Sequence, residues 1–505
     1  MNDLRMPQAA GKGGFSGCPE DGDLVGSRCL RPHGGLREPA CRCHVSVWEM
    51  SLAIVFESFQ RDQAAHGLPL LVAGQPERTV AWHQGEAVSA ARFMAHVQAI
   101  AAQLPPAATA VNLCEDRYAF LVAFCAIALR GQANLLPSSR APQAVAEVMA
   151  AHPGCYAVGE LALQNPPPHY RHLPALSVTP DTDDGCAWLA LPSDQVVAIG
   201  YTSGSTGVPK GNVKTWGSFH ASNAGNLRML HAAVGKGFHV VATVPPQHMY
   251  GMEMSVLLPL LDDVSVHAGR PLFPADVAAA LAEVPAPRVL VTTPVHLRAL
   301  IESGVALPPI AAMVSATAPM PVELAQVAEQ RYGAPLLEVF GSTETCVFAS
   351  RRAAADEPWT LFDGVHLHPQ PDGTQVRAPQ LDEPMTLADI VTLHDGGRRF
   401  RLRGRHADLL EIAGKRASLG DLTRRLLSIP GVKDGVVFQL DDGDALGVQR
   451  IAALAVAPAM SEHAILDALR SAVDPVFLPR PLKLVDALPR NETGKLPRAA
   501  LLALL

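Results

Sequence analysis

The chain has 505 residues, room for about three folding units, and 48% of them are hydrophobic, enough for several cores. A mainly disordered chain is excluded. The formal charge of -7 is mild for this length and gives no electrostatic reason to expect a nucleic-acid or anionic-membrane partner. No run reaches the roughly 18 uninterrupted apolar residues of a membrane span, since Gly, Pro or a polar residue breaks stretches such as Met254-Ser255-Val256-Leu257-Leu258-Pro259.

Nine cysteines, an odd number without repeating spacing, argue against a secreted disulfide framework and for a reducing, cytoplasmic setting. Four lie in the first 43 residues, but Cys41-Arg42-Cys43-His44 lacks the paired spacing of a structural zinc site. Eight lysines stand against thirty-three arginines. Where arginine is favoured this strongly, a lysine kept inside a motif is one that needs its ammonium.

Taken in chain order, residues 1–49 carry twelve Gly or Pro, one Phe and one Trp, with no helical or strand period. They are expected to be a disordered tail, or an upstream extension with initiation at Met50. From Met50 the pattern alternates. Phe93, Val97, Ile100 and Leu104 recur at helical spacing, residues 110–113 read as a short buried strand, and Tyr118 to Leu129 as a helix. Further strands are expected near 196–199, 240–243, 289–292, 313–315 and 336–339, with helices between them such as 321–331. Strands alternating with helices predict an α/β fold with doubly wound sheets. Between 351 and 403 strand and turn signals take over, including Asp372-Gly373 and Asp395-Gly396-Gly397, which predicts a β-rich subdomain. A helix at 419–427, an apolar stretch at 435–438 and a second helix at 462–473 then suggest a small α+β domain. The expected division is 50–404 and 405–505.

The strongest segment is Tyr201-Thr202-Ser203-Gly204-Ser205-Thr206-Gly207-Val208-Pro209-Lys210-Gly211, directly after a predicted strand. Its glycines let backbone N–H groups turn inward, its hydroxyls add donors and Lys210 adds positive charge, a combination suited to a polyphosphate. It is not a P-loop, because no Gly-Lys-Ser/Thr triplet closes it. The plainer alternative is a flexible Gly/Ser turn. A second segment, Phe340-Gly341-Ser342-Thr343-Glu344-Thr345, offers a carboxylate of the kind Mg²⁺ prefers, or else a helix N-cap.

Together these strings resemble the signatures of the ANL superfamily of adenylate-forming enzymes: acyl- and aryl-CoA synthetases, nonribosomal-peptide adenylation domains and luciferases. The resemblance implies that Thr202, Ser203, Gly204, Ser205, Thr206, Gly207 and Lys210 hold the ATP phosphates. It places the aromatic ring of Phe340 against adenine, Gly341, Ser342 and Thr343 beside the nucleotide, and Glu344 on magnesium. Weaker matches keep the family's order. Pro246-Gln247-His248-Met249-Tyr250-Gly251, with one residue fewer before the histidine than usual, implies an acyl pocket bordered by His248 and Gly251. Ala316, Thr317 and Ala318 match the turn facing adenine, while Asp389 and Arg405 match ribose-binding positions. Read alone, His248 is more often a packed loop histidine and Asp389 a surface turn residue; their order and spacing favour the binding roles. The C-terminal string from Leu488 to Arg498 implies that Lys495 bridges the carboxylate and the α-phosphate, against the alternative of an ordinary basic loop.

The family's usual Asp or Lys at the hinge is Ala407 here, and the segment before Asp389 is shorter than usual. Asp441-Asp442-Gly443-Asp444 and His366-x-His368 lack the remaining ligands of a metal site. The resemblance thus implies an acid–thiol ligase that uses ATP and Mg²⁺ to activate a small carboxylic acid and passes it to coenzyme A or a phosphopantetheinyl carrier protein, with no carrier domain fused. The hinge, the Ala413-Gly414-Lys415-Arg416 loop and the short β segment are similar to stand-alone ligases of aryl-polyene and xanthomonadin-type pigment pathways, which load hydroxybenzoate-like acids. A fatty acyl-CoA synthetase and a catalytically silent nucleotide-binding protein are the competing expectations.

Overall fold

The computed structural model describes residues 67–72, 75–176, 189–203, 209–371, 373–405, 409–412, 415–440, 450–491 and 494–505, all within one compact unit, Ser58–Leu505. The expected tail at 1–49, Gly204 to Val208, Ala407, residues 413–414 and 441–444 lie outside them. Among the described residues no helix is long and apolar enough to cross a membrane.

Two large mixed sheets carry most of the chain. The first has six strands in the order Pro209–Thr215, Val196–Ser203, Ala133–Leu136, Thr109–Asn112, Tyr156–Gly159 and Tyr170–His172. Its pairs are parallel except the first, which is an antiparallel hairpin. The second has eleven strands. Thr79–His83, Ser265–His267, His239–Ala242, Arg288–Thr292, Ala312–Ser315 and Leu336–Ser342 run parallel at its centre, and antiparallel strands extend both edges.

One apolar core joins the sheets, with Ala110 and Val158 of the first in the same cluster as Val240 and Val289 of the second. The helix Arg117–Leu129 runs through it and is buried on all faces, as its uninterrupted apolar run dictates. The Asp116 carboxylate caps it by accepting from the Ala119 amide at 2.9 Å. The helix Ala90–Gln103 buries Phe93, Met94, Val97 and Ile100, the stripe expected from the 3–4 residue spacing.

Residues 351–403 form short strands, among them the hairpin His366–Gln370/Gly373–Arg377 and the pair Asp389–His394/Arg399–Arg405 turning at Gly396 with φ +65°. Their core of Phe348, Trp359, Val376, Val391 and Phe400 is separate. Beyond Arg405, two further clusters draw only on residues 419–505: the helices Leu419–Leu427 and Glu462–Ala472 against a three-stranded sheet.

Parallel strands expose their carboxyl ends along one edge, which is where open α/β sheets bind ligands. The segments 243–251 and 316–320 follow such ends, as does the turn after Phe340.

Candidate active site

The strand Val196–Ser203 doubles back as Pro209–Thr215, with Thr202 opposite Lys210 and Ser203 opposite Pro209. A hairpin rather than a strand-to-helix turn therefore frames the Gly/Ser-rich stretch, in keeping with its difference from a P-loop. Thr202 is half-buried and Lys210 exposed; Gly204, Ser205, Thr206 and Gly207 lie outside the described residues.

The turn after Phe340 connects the antiparallel strands Leu336–Ser342 and Cys346–Arg352. A helix N-cap, the plainer reading of Gly-Ser-Thr-Glu, is thereby excluded. Ser342 and Thr345 brace the turn reciprocally, the Ser342 amide donating to Thr345 Oγ1 at 3.1 Å and the Thr345 amide to Ser342 Oγ at 3.2 Å. Gly341 is required, since a Cβ there would stand 2.1 Å from the Cys346 carbonyl oxygen. Glu344 is half-exposed, and its carbonyl accepts from Lys214 Nζ at 2.6 Å. Phe340 packs in an aromatic group, with centroids 5.4 Å from Phe348, 5.2 Å from Trp359 and 5.7 Å from Phe400.

The two segments touch. A Cβ on Gly200 would lie 2.9 Å from Thr343 Cγ2, so strand and turn approach as closely as a missing side chain allows. Gly200, Tyr201, Thr343, Gln247, His248 and Met249 line one cleft with Leu136 and Pro137. Gly251, helical in its backbone angles, lets the chain pass close to the preceding segment, since a Cβ there would stand 2.0 Å from the Pro245 carbonyl oxygen. The His248 imidazole is pushed down to about 4, first by its removal from water and then by the charges of Lys495, Arg270 and Arg140. It is therefore neutral at pH 7.

The same shift places the Lys495 ammonium within electrostatic reach of the cleft. Its loop also approaches the 315–319 turn, because a Cβ on Gly494 would stand 3.8 Å from Thr317 Oγ1. Thr317 is a β-branched residue at φ +77°, and its hydroxyl has no hydrogen-bond partner among the described residues. Strain and an unused donor at one residue are features of ligand-binding turns. Ala316 is buried and Ala318 half-buried beside it. Asp389 and Arg405 are register partners in the backbone of the outer strand pair, and Phe400, on the same strand as Arg405, contacts Phe340.

Three buried groups around this site were not singled out from the sequence. Arg117 donates to the Ala242 and Val244 carbonyls at 2.9 and 2.8 Å and to Ser255 Oγ at 2.5 Å, fixing the entry to the His248 segment. Glu253 accepts from the Val347 amide, and Lys214 holds Glu344. The scarcity of lysine was the available signal for Lys214; the isolated acid in an apolar run was the signal for Glu253.

A family model described as "AMP-binding enzyme" matches residues 71–377, more than half the chain. The chain belongs to that family, and it is an AMP-forming acid–thiol ligase. It is 30% identical over 319 residues to a 4-coumarate–CoA ligase of Rhodobacter capsulatus, covering 61% of this chain and 76% of that protein. It is 25% identical over 257 residues to a 3-hydroxybenzoate–CoA/4-hydroxybenzoate–CoA ligase of Thauera aromatica, covering 41% and 47%. The fold is that of o-succinylbenzoate coenzyme A synthetase from Bacillus subtilis, solved with ATP and magnesium ion, at a TM-score of 0.69 and 18% identity over 87% of this chain and 98% of that one.

That neighbour was solved with magnesium ion bound. Among the described residues there is no group of three or more His, Cys, Asp or Glu able to hold a metal. Mg²⁺ ordinarily takes one or two carboxylates and completes its shell with phosphate oxygens and water. Glu344, half-exposed in the turn that approaches Gly200, is a carboxylate of the kind such an ion takes.

Proposed function

We propose that this enzyme converts a small aromatic carboxylic acid, hydroxybenzoate-like or cinnamate-like, to its acyl-adenylate and transfers the acyl group to a phosphopantetheine thiol. The observation that carries this reading is the contact of Gly200 with Thr343, which sets the phosphate hairpin and the Glu344 turn around one volume.

Thr202 to Gly207 and Lys210 hold the β- and γ-phosphates. Phe340 and Gly341 to Thr343, with Ala316 to Ala318, embrace the adenosine, Asp389 and Arg405 take the ribose hydroxyls, and His248 and Gly251 bound the acyl pocket. Bound at Glu344, Mg²⁺ would neutralise phosphate charge. A carboxylate oxygen attacks the α-phosphorus as the bond to pyrophosphate breaks. No general base is needed, because carboxylic acids with pKa values of about 4 are already ionised at pH 7. The neutral His248 presents an uncharged wall to the acid. Lys495 aligns the attacking oxygen with phosphorus and stabilises charge gathering there, so catalysis is positioning and charge neutralisation. The thiol sulfur, its proton lost to solvent, then attacks the acyl carbon as the bond to AMP breaks and AMP leaves, with residues 405–505 rotating to withdraw Lys495.

Two ligases of aromatic acids among the relatives support the choice of acid. The acceptor we propose is a carrier protein, as the sequence resemblance to pigment-pathway ligases implies, with coenzyme A as the alternative. ATP–pyrophosphate exchange across hydroxybenzoates, cinnamates and fatty acids tests the reading. Fastest exchange with a hydroxybenzoate or cinnamate is expected. Exchange with fatty acids alone would replace the aromatic assignment, and silence with every acid would leave a nucleotide-binding protein.

A further inference from the structure

Strand Pro209–Thr215 lies at the edge of its sheet and reverses the expected alternation. Val213 is 58% exposed, while Lys214 beside it is 4% exposed. An apolar residue faces outward and an ammonium faces the interior, against the ordinary cost of burying charge. A local rule broken at a buried position marks a site where something other than stability is served.

The Lys214 side chain crosses from the six-stranded sheet to the eleven-stranded one. Its Nζ donates at 2.6 Å to the carbonyl of Glu344. Two neighbouring groups grip the same turn. Gln380 Nε2 donates to the Thr345 carbonyl at 3.0 Å, and the Glu253 carboxylate accepts from the Val347 amide at 3.1 and 2.9 Å. Glu253 is 1% exposed and sits in a π-helical stretch, Met252–Leu257, a geometry that recurs at functional sites. It also accepts from Asn226 Nδ2 at 3.3 Å. Burial pushes the Glu253 carboxyl up to about 7, opposed by the Val347 amide and then by the Lys214 charge. The thiol of Cys346 faces the same pocket, and burial holds it neutral, pushed up to about 12.

We propose that Lys214 is a positioning residue for the carboxylate of Glu344, locking the metal-binding turn to the hairpin that carries the phosphate-binding stretch. The inference rests on the Mg·ATP reading of that turn. Lys214 is on the hairpin and Glu344 on the turn, so this hydrogen bond ties the two halves together beside the Gly200–Thr343 contact. A hydrophobic residue at 214 would fill the space but remove the bond to Glu344 itself, leaving Gln380 and Glu253 to hold only Thr345 and Val347.

The test compares Lys214→Met, which keeps the stem and loses the donor, with Lys214→Arg, which restores a buried cation. The first readout is amide hydrogen exchange over residues 341–347 in the nucleotide-free enzyme, with the strand Ile451–Val456 as internal reference. Loss of a hydrogen bond from a charged donor predicts exchange about 10- to 100-fold faster over 341–347 in Lys214→Met, the reference unchanged and Lys214→Arg intermediate. The second readout is calorimetric affinity for ATP with Mg²⁺ and with EDTA. Lys214→Met is expected to lose most of the tightening that Mg²⁺ supplies and to keep its affinity in EDTA. Unchanged exchange over 341–347, or equal loss of affinity with and without Mg²⁺, overturns the proposal. A wild-type enzyme that binds no ATP under either condition overturns the nucleotide reading, and the exchange comparison still decides whether Lys214 holds the turn.

Discussion

The Lys495 loop is held by Asn491, whose Oδ1 accepts from the Lys495 amide at 2.9 Å, and by Arg490, which makes its delivery testable at a distance from the chemistry. Arg490 forks onto Asp434, Nε to Oδ2 at 3.0 Å and Nη2 to Oδ1 at 2.8 Å, while its Nη1 donates to the Gly494 carbonyl at 2.8 Å. Both side chains are about four-fifths buried, at 19% and 24% exposure. A hydrogen bond from a charged donor is worth about 1.5–3 kcal/mol, and solvent screening at this exposure reduces the bond to Gly494 to about 1.5–2. If all of that loss appears as misplacement of Lys495 in the transition state, Arg490→Ala slows adenylation about 10- to 30-fold. The KM for ATP should stay within about twofold, because the phosphate hairpin is untouched. Initial rates of ATP–pyrophosphate exchange are to be measured for Arg490→Ala, Lys495→Ala and the double variant. If Arg490 acts through Lys495, adding Arg490→Ala to Lys495→Ala costs nothing further. An equal loss in both backgrounds refutes the reasoning, as does a wild-type rate in the single variant.

Lys495→Ala itself should depress acyl-adenylate formation by about 100-fold or more while leaving thioester formation from supplied acyl-adenylate nearly intact; equal losses in the two half-reactions measured separately would remove the division of labour. Gly341→Ala places a methyl against the Cys346 carbonyl and should cost about 2 kcal/mol in denaturant unfolding together with most of the affinity for Mg·ATP, so a stable variant with normal binding contradicts the turn geometry. His220, packed on Trp216 at 4.8 Å, is pushed down to about 4 by burial. An unfolded chain protonates it near 6.5, so stability is fully present above that pH and is lost as the pH falls toward 4, by about 3 kcal/mol. His220→Phe should flatten that part of the pH–stability profile, and an unchanged slope would show that the imidazole is not the titrating group.

Helices were legible where the apolar spacing was regular: 419–427 matches the observed helix at both ends, and the expected 118–129 differs from Arg117–Leu129 by one residue. The helical stripe at 93–104 appears as Ala90–Gln103 with Leu104 as its cap. The hairpin at 196–215 was less visible. Periodicity in Pro209–Thr215 is inverted by the buried Lys214 and exposed Val213, so an apolar-pattern reading stops at the Gly/Ser stretch. The mixed character of the eleven-stranded sheet was also hidden, in part because one of its antiparallel pairs, Trp359 with Phe400, joins residues distant in sequence. Within the site, motifs carried by glycines and hydroxyls were readable, since local backbone demands select those residues. The groups behind them, Arg117, Glu253 and Lys214, act on carbonyls and amides 94 to 130 positions away, and no local pattern records such a partnership.

The account turns on whether the hairpin at 201–211 and the turn at 340–345 grasp one nucleotide. A crystal structure with magnesium and a non-hydrolysable ATP analogue measures this directly. The expected result is a triphosphate with its terminal phosphates against Thr202 and Lys210, a metal ion on Glu344 and the adenine beside Phe340. A nucleotide bound elsewhere, or touching one of the two segments without the other, would contradict it.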